Sequence, residues 1–255
     1  MLQDVNAFVT GASQGIGREI AITLADYGAN VALAARSDGV YETADEIDTK
    51  ALPLTVDVTD ESSVIEGIEE TVDAFGGLDC LINNAGIAGP TAPIEEVTAE
   101  EWDRTMAVNV RGMFLTTKHA ANHLRNSDRG RVVNISSISG KRPLRNRTPY
   151  TASKMAVIGL TRTLAVEFGN DDVTVNAVCP GATKGPRIEA VIDAQADDLG
   201  IEYEQAKRQV FTDDSALGSL VEPNDVAEVV AFLASGRAQT ITAQDINVDG
   251  GTAWY

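Results

Sequence analysis

The chain has 255 residues, 44% of them hydrophobic and 23% charged, so it holds enough apolar surface to fill a core and is not intrinsically disordered. Its 38 acidic and 20 basic residues give a formal net charge of −18, and such a field repels nucleic acid and anionic membranes. No apolar stretch approaches the roughly 20 residues that a membrane-spanning helix needs. We therefore expect neither a nucleic-acid nor a membrane partner.

The excess of acids, together with only six lysines against 14 arginines, is typical of a surface adapted to high salt, and an ordinary acidic protein is the alternative. The N-terminus has no basic segment ahead of its apolar run, so we predict no signal peptide and a cytoplasmic location.

Cys80 and Cys179 lie in separate apolar runs and are expected to be small buried side chains, not a disulfide or a metal pair.

Apolar segments typical of buried strands alternate with segments of helical periodicity along the whole chain. Strands are predicted at residues 5–10, 30–35, 51–56, 78–83, 131–135, 173–178 and 241–248, and helices at residues 16–27, 62–75, 100–124, 150–168 and 224–234. This alternation predicts the α/β class, with a doubly wound, Rossmann-like parallel sheet of about seven strands and helices on both faces. No linker or repeat divides the chain, so residues 1–255 are predicted to form a single domain. Residues 184–221 are long for a connection and are predicted to form a lid over the substrate.

A glycine-rich turn, Thr10-Gly11-Ala12-Ser13-Gln14-Gly15-Ile16-Gly17, joins the first strand to the first helix. Glycines at such a turn let the backbone approach a pyrophosphate, whose charge is stabilised at the helix N-terminus. The turn therefore predicts dinucleotide binding, and an ordinary glycine-rich β–α turn is the alternative.

The same turn contains Gly11-x-Ser13-x-Gly15, which matches the nucleophile elbow of serine hydrolases with Ser13 as the nucleophile. A hydrolase would also need a histidine after that serine and an acid between them, at the ends of strands. The two histidines of the chain, His119 and His123, are four residues apart on one predicted helix. No glutamate stands between them as in the H-E-x-x-H motif, so we predict no metal site there either.

A second constellation consists of Ser137, Tyr150 and Lys154. Tyr150 and Lys154 are four residues apart on a predicted helix, so their side chains share one face. A lysine cation beside a phenol favours the phenolate and lowers the pKa of the tyrosine, as general acid/base catalysis requires. Ser137 follows the fifth strand, where its hydroxyl can donate to a substrate oxygen. The tyrosine–lysine spacing is common on helices, so the pair by itself can also be structural.

Together these residues resemble the short-chain dehydrogenase/reductase family, nicotinamide-dependent enzymes of about this length, over nearly the whole chain. The matching motifs are Thr10-Gly11-x3-Gly15-x-Gly17, Val56-Asp57-Val58, Asn83-Asn84-Ala85-Gly86, Val108-Asn109-Val110, Ser137, Tyr150-x3-Lys154, Asn176-Ala177-Val178-Cys179-Pro180-Gly181 and Val248-Asp249-Gly250-Gly251. The resemblance departs at Gly185, where the family commonly has a threonine or serine that contacts the nicotinamide.

The resemblance implies an NAD(P)-dependent oxidoreductase that interconverts a secondary alcohol and a ketone, and a homotetramer. Tyr150 would be the general acid/base, Lys154 would assist it and hold the nicotinamide ribose, Ser137 would bind the developing oxyanion, and Asn109 would hold a water of a proton relay. The implied cofactor-binding residues are Gly11, Ser13, Gln14, Gly15, Ile16, Gly17, Arg36, Ser37, Asp57, Val58, Asn84, Ala85, Gly86, Tyr150, Lys154, Pro180, Gly181 and Thr183. The alternatives are a non-catalytic dinucleotide-binding protein of the same fold and a serine hydrolase acting through Ser13.

The end of the second strand bears on the choice of cofactor. An acid at this position would accept the ribose hydroxyls of NAD and repel a 2′-phosphate. The chain has Ala35 there, followed by Arg36 and Ser37. An arginine fork suits a phosphate, so we predict NADP as the cofactor, with NAD as the alternative. Arg36 could also be a surface arginine without a ligand.

A basic stretch surrounds the catalytic candidates. Between Asp128 and Glu167 there is no acid, and the bases there are Arg129, Arg131, Lys141, Arg142, Arg145, Arg147, Lys154 and Arg162, with Lys184 and Arg187 shortly after. This basic stretch predicts a positive cleft and an anionic small-molecule substrate, such as a sugar acid or a 3-oxoacyl thioester. The alternative is that these bases pair with acids across a subunit interface or serve only the cofactor phosphates.

Overall fold

The computed structural model describes residues 1–254, except for the side chain of Arg187, so the predicted role of that arginine lies outside the described residues. Within this part of the chain seven parallel strands form one sheet in the order β3-β2-β1-β4-β5-β6-β7. The strands are β1 Asn6–Thr10, β2 Asn30–Ala35, β3 Ala51–Thr55, β4 Cys80–Asn83, β5 Arg131–Ile135, β6 Thr174–Pro180 and β7 Asp245–Val248. The order changes direction between β1 and β4, which places a crevice there at the carboxyl ends of the strands.

The helices are α1 Gly15–Asp26, α2 Gly39–Asp45, α3 Glu61–Phe75, α4 Ala99–Met106, α5 Gly112–Asn126, α6 Thr148–Phe168, α7 Pro186–Leu199, α8 Tyr203–Ala206 and α9 Pro223–Ala234. A π-helical turn, Ala107–Arg111, joins α4 to α5, and a second, Lys207–Thr212, follows α8. Single 3-10 turns lie at Ile94–Glu96, Ile138–Gly140, Gly169–Asp171 and Gly236–Ala238. No helix of residues 1–254 is long and apolar enough to cross a membrane.

Helices cover both faces of the sheet, as the sequence predicted. On one face α1 and α9 pack on the sheet through side chains such as Leu24 and Val230. On the other face α3, α5 and α6 contribute Ile68, Leu124 and Phe168 to a second core. Both cysteines are buried, and burial raises the pKa of Cys80 to about 12 and that of Cys179 to about 11.

A buried polar network fastens the second face to the central strands. Asn83 of β4 donates from Nδ2 to Asn134 Oδ1 of β5 at 2.9 Å, and Asn134 donates in turn to Thr161 of α6 at 2.9 Å. Thr116 and Thr117 of α5 bond the amide of Asn83 at 2.6 and 3.0 Å. These groups satisfy one another away from water, so the network fixes α5 and α6 against the strand ends that carry the site.

Two predicted elements need correction, and one helix has no counterpart among the predicted elements. The last strand begins at Asp245 and not at residue 241, because Ala243 has a φ of +61° and the amide of Gln244 donates to the Asn176 side chain. The helix predicted at residues 100–124 runs from residue 99 to 126 and is interrupted by the π-helical turn. Helix α2 was not predicted, because seven residues are too few to show helical periodicity.

Residues 184–221 fold into a helical excursion that returns to its starting point. Thr183 and Val221 form a parallel bridge, and the amide of Lys184 donates to the Val221 carbonyl at 2.9 Å. Between these ends α7 and α8 form a small apolar cluster around Ile192 and Phe211. The segment is thus joined at its two ends and has an apolar cluster of its own, as a lid requires. The lid itself stays a prediction.

Candidate active site

A cavity of about 640 Å³ lies at the carboxyl ends of the central strands, where the strand order changes direction. Its wall comes from the segments that follow β1, β2, β3, β4, β5 and β6, from the first turns of α6, from residues 182–186 and 210–211, and from Ile188 and Val191. Every residue that the resemblance implied for cofactor binding lines this cavity, as do Ser137, Tyr150 and Lys154. The fold therefore gathers the candidates from distant parts of the chain into one site.

The glycine-rich turn offers main-chain donors to an anion. Its residues from Ser13 to Gly17 line the cavity, and helix α1 begins there without a side-chain cap and without an acid in its first turn. Gly11 and Gly15 have φ values of +68° and +55°, which glycine adopts without strain. Because a pyrophosphate needs uncapped helical amides and no nearby carboxylate, the turn fits the phosphates of a dinucleotide.

The segment after β4 is tied to this turn. Thr10 Oγ1 accepts hydrogen bonds from the amides of Asn84 and Ala85 at 2.9 and 3.0 Å. Asn84 Nδ2 donates to the Thr10 carbonyl at 2.9 Å. These bonds hold the two sides of the crevice at a set separation.

The lysine of the second constellation is buried and anchored. Lys154 is 4% exposed, its Nζ donates to the Ile135 carbonyl at 2.8 Å, and the same Nζ lies 5.7 Å from the centre of the Tyr150 ring. Ser137 is 8% exposed, and its Oγ accepts from the Ser139 amide at 3.1 Å, which starts a 3-10 turn. The helix predicted for Tyr150 and Lys154 is α6, and the bond of Lys154 to the Ile135 carbonyl ties this helix to the end of β5.

A second cation approaches the tyrosine from the start of α6. The guanidinium carbon of Arg147 lies 4.9 Å from the centre of the Tyr150 ring. Arg147 is 5% exposed, and its Nη1 donates to Thr91 Oγ1 at 2.8 Å. In the sequence Arg147 is one base among many, and the tertiary structure places it against the tyrosine.

The side chain of Asn109 has a structural role. Its side chain is fully buried: Oδ1 accepts from the Ile87 amide at 2.8 Å, and Nδ2 donates to the Ile87 carbonyl and to Ser153 Oγ, both at 3.0 Å. It is not among the described residues that line the cavity. The side-chain amide is thus occupied in holding the segment after β4 against α6. A relay through the main chain of the π-helical turn that contains Asn109 stays a prediction.

The far end of the cavity contains Arg36, Ser37 and Asp57. Asp57 Oδ1 accepts from the amide and the hydroxyl of Thr59 at 2.8 and 2.7 Å. Its other oxygen lies 3.9 Å from Arg36 Nη1, a loose contact between two exposed side chains. The Arg36 guanidinium therefore remains at the cavity mouth with little to restrain it.

The opposite end combines an apolar wall with arginine. Leu144 and, from residues 184–221, Ile188, Val191, Val210 and Phe211 line this part of the cavity. Arg142 also lines it and forms an ion pair with Asp214. These apolar residues could not be predicted from the sequence, because the helical pattern of residues 184–221 does not show which helix face meets the cavity. Thr252, which directly follows the Gly250-Gly251 motif, also lines the cavity without having been predicted.

The basic stretch does not converge on the cavity as a whole. Of its eight bases, all of them described, three line the cavity: Arg142, Arg147 and Lys154. Lys141 and Arg162 pair with Asp245 instead, each at 2.7 Å. Even so, the described charged residues of the cavity wall are mostly cations, namely Arg36, Arg142, Arg147, Lys154 and Lys184, with Asp57 as the carboxylate.

The hydrolase alternative lacks a base. His119 of α5 lies 2.8 Å from Glu61 Oε1 on α3, and neither His119 nor His123 is among the described residues of the cavity wall. Ser13 therefore has no histidine beside it to take its proton.

Comparisons with known proteins agree with this geometry. The profile of the family described as Enoyl-(Acyl carrier protein) reductase matches residues 11–253. The chain is 38% identical to a cis-4-hydroxycyclohexanecarboxylate dehydrogenase of Sinomonas cyclohexanicum, over 96% of this chain and 95% of that protein. It is also 38% identical to a short-chain dehydrogenase/reductase of Armillaria gallica, over 96% and 94% of the two chains. The crystal structure of an NAD⁺-bound xylitol dehydrogenase superimposes with a TM-score of 0.94 at 28% identity, covering 98% of this chain and 99% of the other.

These matches span nearly the full length of the chain and of its relatives, and they confirm the predicted fold class and enzyme class. The protein belongs to the short-chain dehydrogenase/reductase family.

Proposed function

We propose that the protein is an NAD(P)-dependent oxidoreductase that interconverts a secondary alcohol and a ketone, with Tyr150 as the acid/base and Ser137 and Lys154 as its partners. The observation that carries this assignment is the convergence of these three side chains with the glycine-rich turn on one cavity. A protein that only bound a dinucleotide would have no need of a lysine buried to 4% exposure beside the tyrosine.

The cofactor supplies the hydride chemistry. In the direction of alcohol oxidation Tyr150 Oη takes the hydroxyl proton of the substrate, and in reduction it returns a proton to the ketone oxygen. Ser137 Oγ donates to that oxygen and stabilises the negative charge that develops on it. Lys154, fixed by the Ile135 carbonyl, keeps a positive charge beside the ring and favours the phenolate. Asn109 acts as a positioning residue that holds Ile87 and Ser153.

Replacing Tyr150 tests the assignment. Tyr150→Phe keeps the ring and removes the acid/base, so kcat should fall at least ~10²-fold while the Kd of the cofactor changes little. Tyr41→Phe, at an exposed position on α2, is the matched control and should keep full turnover. The assay follows nicotinamide absorbance with a panel of alcohols and ketones, beside the hydrolysis of an activated ester. Wild-type turnover in Tyr150→Phe would contradict the mechanism, and ester hydrolysis lost on Ser13→Ala would favour the hydrolase.

The substrate is proposed to be anionic or strongly polar, such as a hydroxy acid, a sugar acid or a 3-oxoacyl thioester. Support comes from the cations of the cavity wall and from the Sinomonas relative, whose name is that of a hydroxy acid dehydrogenase. The apolar wall around Leu144 and Phe211 suits the carbon skeleton of such a molecule. In the substrate panel each acid is paired with its amide, and a general preference for the amides would contradict an anionic substrate.

The preferred cofactor is proposed to be NADP(H), because Arg36 stands at the cavity mouth where β2 ends without an acid. The similar xylitol dehydrogenase contains NAD⁺. The proposal for this chain therefore depends on its own arginine. A charge-assisted contact with the 2′-phosphate contributes roughly 1.5–3 kcal/mol.

Arg36→Gln should lower kcat/KM for NADP(H) by tenfold or more and leave kcat/KM for NAD(H) nearly unchanged, because only the former cofactor has the 2′-phosphate. Arg129→Gln is the control, since Arg129 contacts the Gln3 carbonyl and lies outside the described cavity wall. A wild-type preference for NAD(H) would refute the assignment.

We further propose that the protein is a homotetramer of the cytoplasm, adapted to high salt, in which residues 184–221 form the substrate lid. Phe114 on α5 and Met155 and Val166 on α6 expose apolar side chains that a subunit interface would remove from water, which supports association. The contacts of Asp214 and Ser215 with Arg142 and the Gly250 carbonyl support a lid that rests on both sides of the cavity.

A further inference from the structure

Helix α6 begins in an unusual way. Its N-cap residue is Arg147, whereas this position favours serine, threonine, aspartate or asparagine, whose side chains bond the free amides of the first turn. Arg147 makes no capping bond of that kind. A cation there also faces the positive end of the helix dipole. Both effects oppose helix formation, so the position of Arg147 does not follow from the stability of α6.

The side chain of Arg147 is directed instead at Tyr150. The two residues are three apart and share a helix face, which allows the 4.9 Å contact between the guanidinium carbon and the ring centre. The hydrogen bond from Nη1 to Thr91 Oγ1 restrains the guanidinium in this place. Since Lys154 Nζ lies 5.7 Å from the same ring centre, the ring is in contact with two buried cations.

The other described charges of the cavity wall have acids of their own or lie elsewhere in the cavity. Arg142 and Lys184 line the cavity as well, and each is paired with an acid, Asp214 and Glu222. The carboxylate of the described wall, Asp57, lies beside Arg36 at the other end. Tyr150 is moreover in the first turn of α6, near the positive end of the helix dipole. Among the described charged side chains of the wall, the two that contact the Tyr150 ring are thus both cations.

We propose that Arg147 is a positioning residue for proton transfer, which stacks on the Tyr150 ring, fixes its orientation and stabilises its phenolate together with Lys154. A cation is attracted to the face of a neutral ring and more strongly to a ring that carries negative charge. Arg147 thus favours the form of Tyr150 that takes the proton from the substrate hydroxyl. The inference rests on the proposed function, in which Tyr150 is the acid/base.

The test compares Arg147→Met, Arg147→Gln and Arg147→Lys with the wild-type enzyme. The first readout is the pH profile of kcat/KM in alcohol oxidation. The second is the ultraviolet difference titration of tyrosine ionisation, from which the Tyr150→Phe signal is subtracted to isolate Tyr150. Arg145→Met is the control, because Arg145 lies in the same loop, is exposed and is outside the described cavity wall. Thr91→Val removes the tether and keeps the cation.

The neutral variants should move both the acidic limb of the profile and the tyrosine titration upward by about one pH unit. At a pH below the limb this shift appears as a tenfold loss of kcat/KM, which a higher pH recovers. In Arg147→Lys the acidic limb and the tyrosine titration should stay close to their wild-type pH. Thr91→Val should shift both by less than Arg147→Met does, and Arg145→Met should leave both unchanged. Arg147→Gln can still donate to Thr91, so it serves if Arg147→Met does not fold.

Unshifted titrations in a folded neutral variant would overturn the inference. So would a rise in KM for acids alone with an unchanged pH profile, because Arg147 would then bind the substrate. If Tyr150→Phe is inactive and the Arg147 variants are unshifted, this inference fails while the proposed function stands. If Tyr150→Phe retains turnover, the proposed function itself fails.

Discussion

At the scale of the residue, Gly17 shows how closely the glycine-rich turn packs. A Cβ on Gly17 would overlap the Gly11 carbonyl oxygen and the Asn84 side-chain nitrogen, the groups that tie the turn to the segment after β4. Gly159, in the middle of α6, has no atom within 4 Å of the corresponding position. The first glycine is therefore required by packing, while the second has no such constraint.

The two glycines should respond in opposite ways to alanine. Gly17→Ala should lower the free energy of unfolding by about 1–3 kcal/mol and raise the Kd of the cofactor, because the turn must move to admit the methyl group. Gly159→Ala should raise the free energy of unfolding by up to about 1 kcal/mol, the gain in helix propensity, with an unchanged Kd. Denaturant unfolding and cofactor titration measure both. Equal stability changes in the two variants would contradict the close approach at Gly17.

At the scale of the element, the 3-10 turn Ile138–Gly140, which directly follows Ser137, is held in place by contacts with both α6 and β7. Gly140 packs on the backbone of α6, where a Cβ would come within 2.9 Å of the Lys154 carbonyl carbon. Lys141 Nζ donates to the Asp245 carbonyl and to Asn247 Oδ1 of β7, at 2.8 and 2.7 Å. The turn thereby fixes Ser137 relative to both the edge strand and the catalytic helix.

Lys141 also forms an ion pair with the carboxylate of Asp245. Burial alone would raise the pKa of Asp245, but the hydrogen bonds and charges of Lys141 and Arg162 outweigh burial and lower it. Two bases of the basic stretch are thus used to join α6 and the 3-10 turn to β7. Their role is structural. These two bases do pair with an acid, as the alternative to a substrate-binding role supposed, but the acid belongs to the same subunit and not to a neighbouring one.

At the scale of the whole molecule, positive and negative charge are separated. The chain has a net charge of −18, yet cations outnumber the one carboxylate among the charged groups of the described cavity wall. Acids crowd exposed faces such as that of α3, where Glu66, Glu69, Glu70 and Asp73 stand three and four residues apart. Like charges at these spacings repel one another along the helix.

Salt should therefore stabilise the protein. Between about 0.1 and 1 M KCl the screening length falls from roughly 10 to 3 Å, so the self-repulsion of the surface is removed and Tm should rise by a few degrees. The variant with Glu66→Gln and Glu70→Gln should be more stable at low salt, by a few tenths of a kcal/mol, and should gain less from KCl. A Tm that falls or stays constant across this range would contradict adaptation to high salt.

The sequence by itself determined the order of strands and helices and the motifs that meet at the site. Continuous apolar strands alternating with helices admit few arrangements besides a parallel sheet, and the carboxyl ends of parallel strands lie along one edge. For that reason Gly11, Asn84, Ser137 and Gly181 could be expected in one crevice, and helical spacing placed Tyr150 beside Lys154.

Only the tertiary structure decided where the charged side chains of those segments go. Arg147 and Arg162 belong to the same basic stretch, yet one contacts the Tyr150 ring and the other pairs with Asp245, 83 residues away. Arg142 finds its partner at Asp214, and Asn109 faces inward to Ile87. Nearness along the chain does not determine the direction of a side chain, because that direction depends on which other elements pack against the segment.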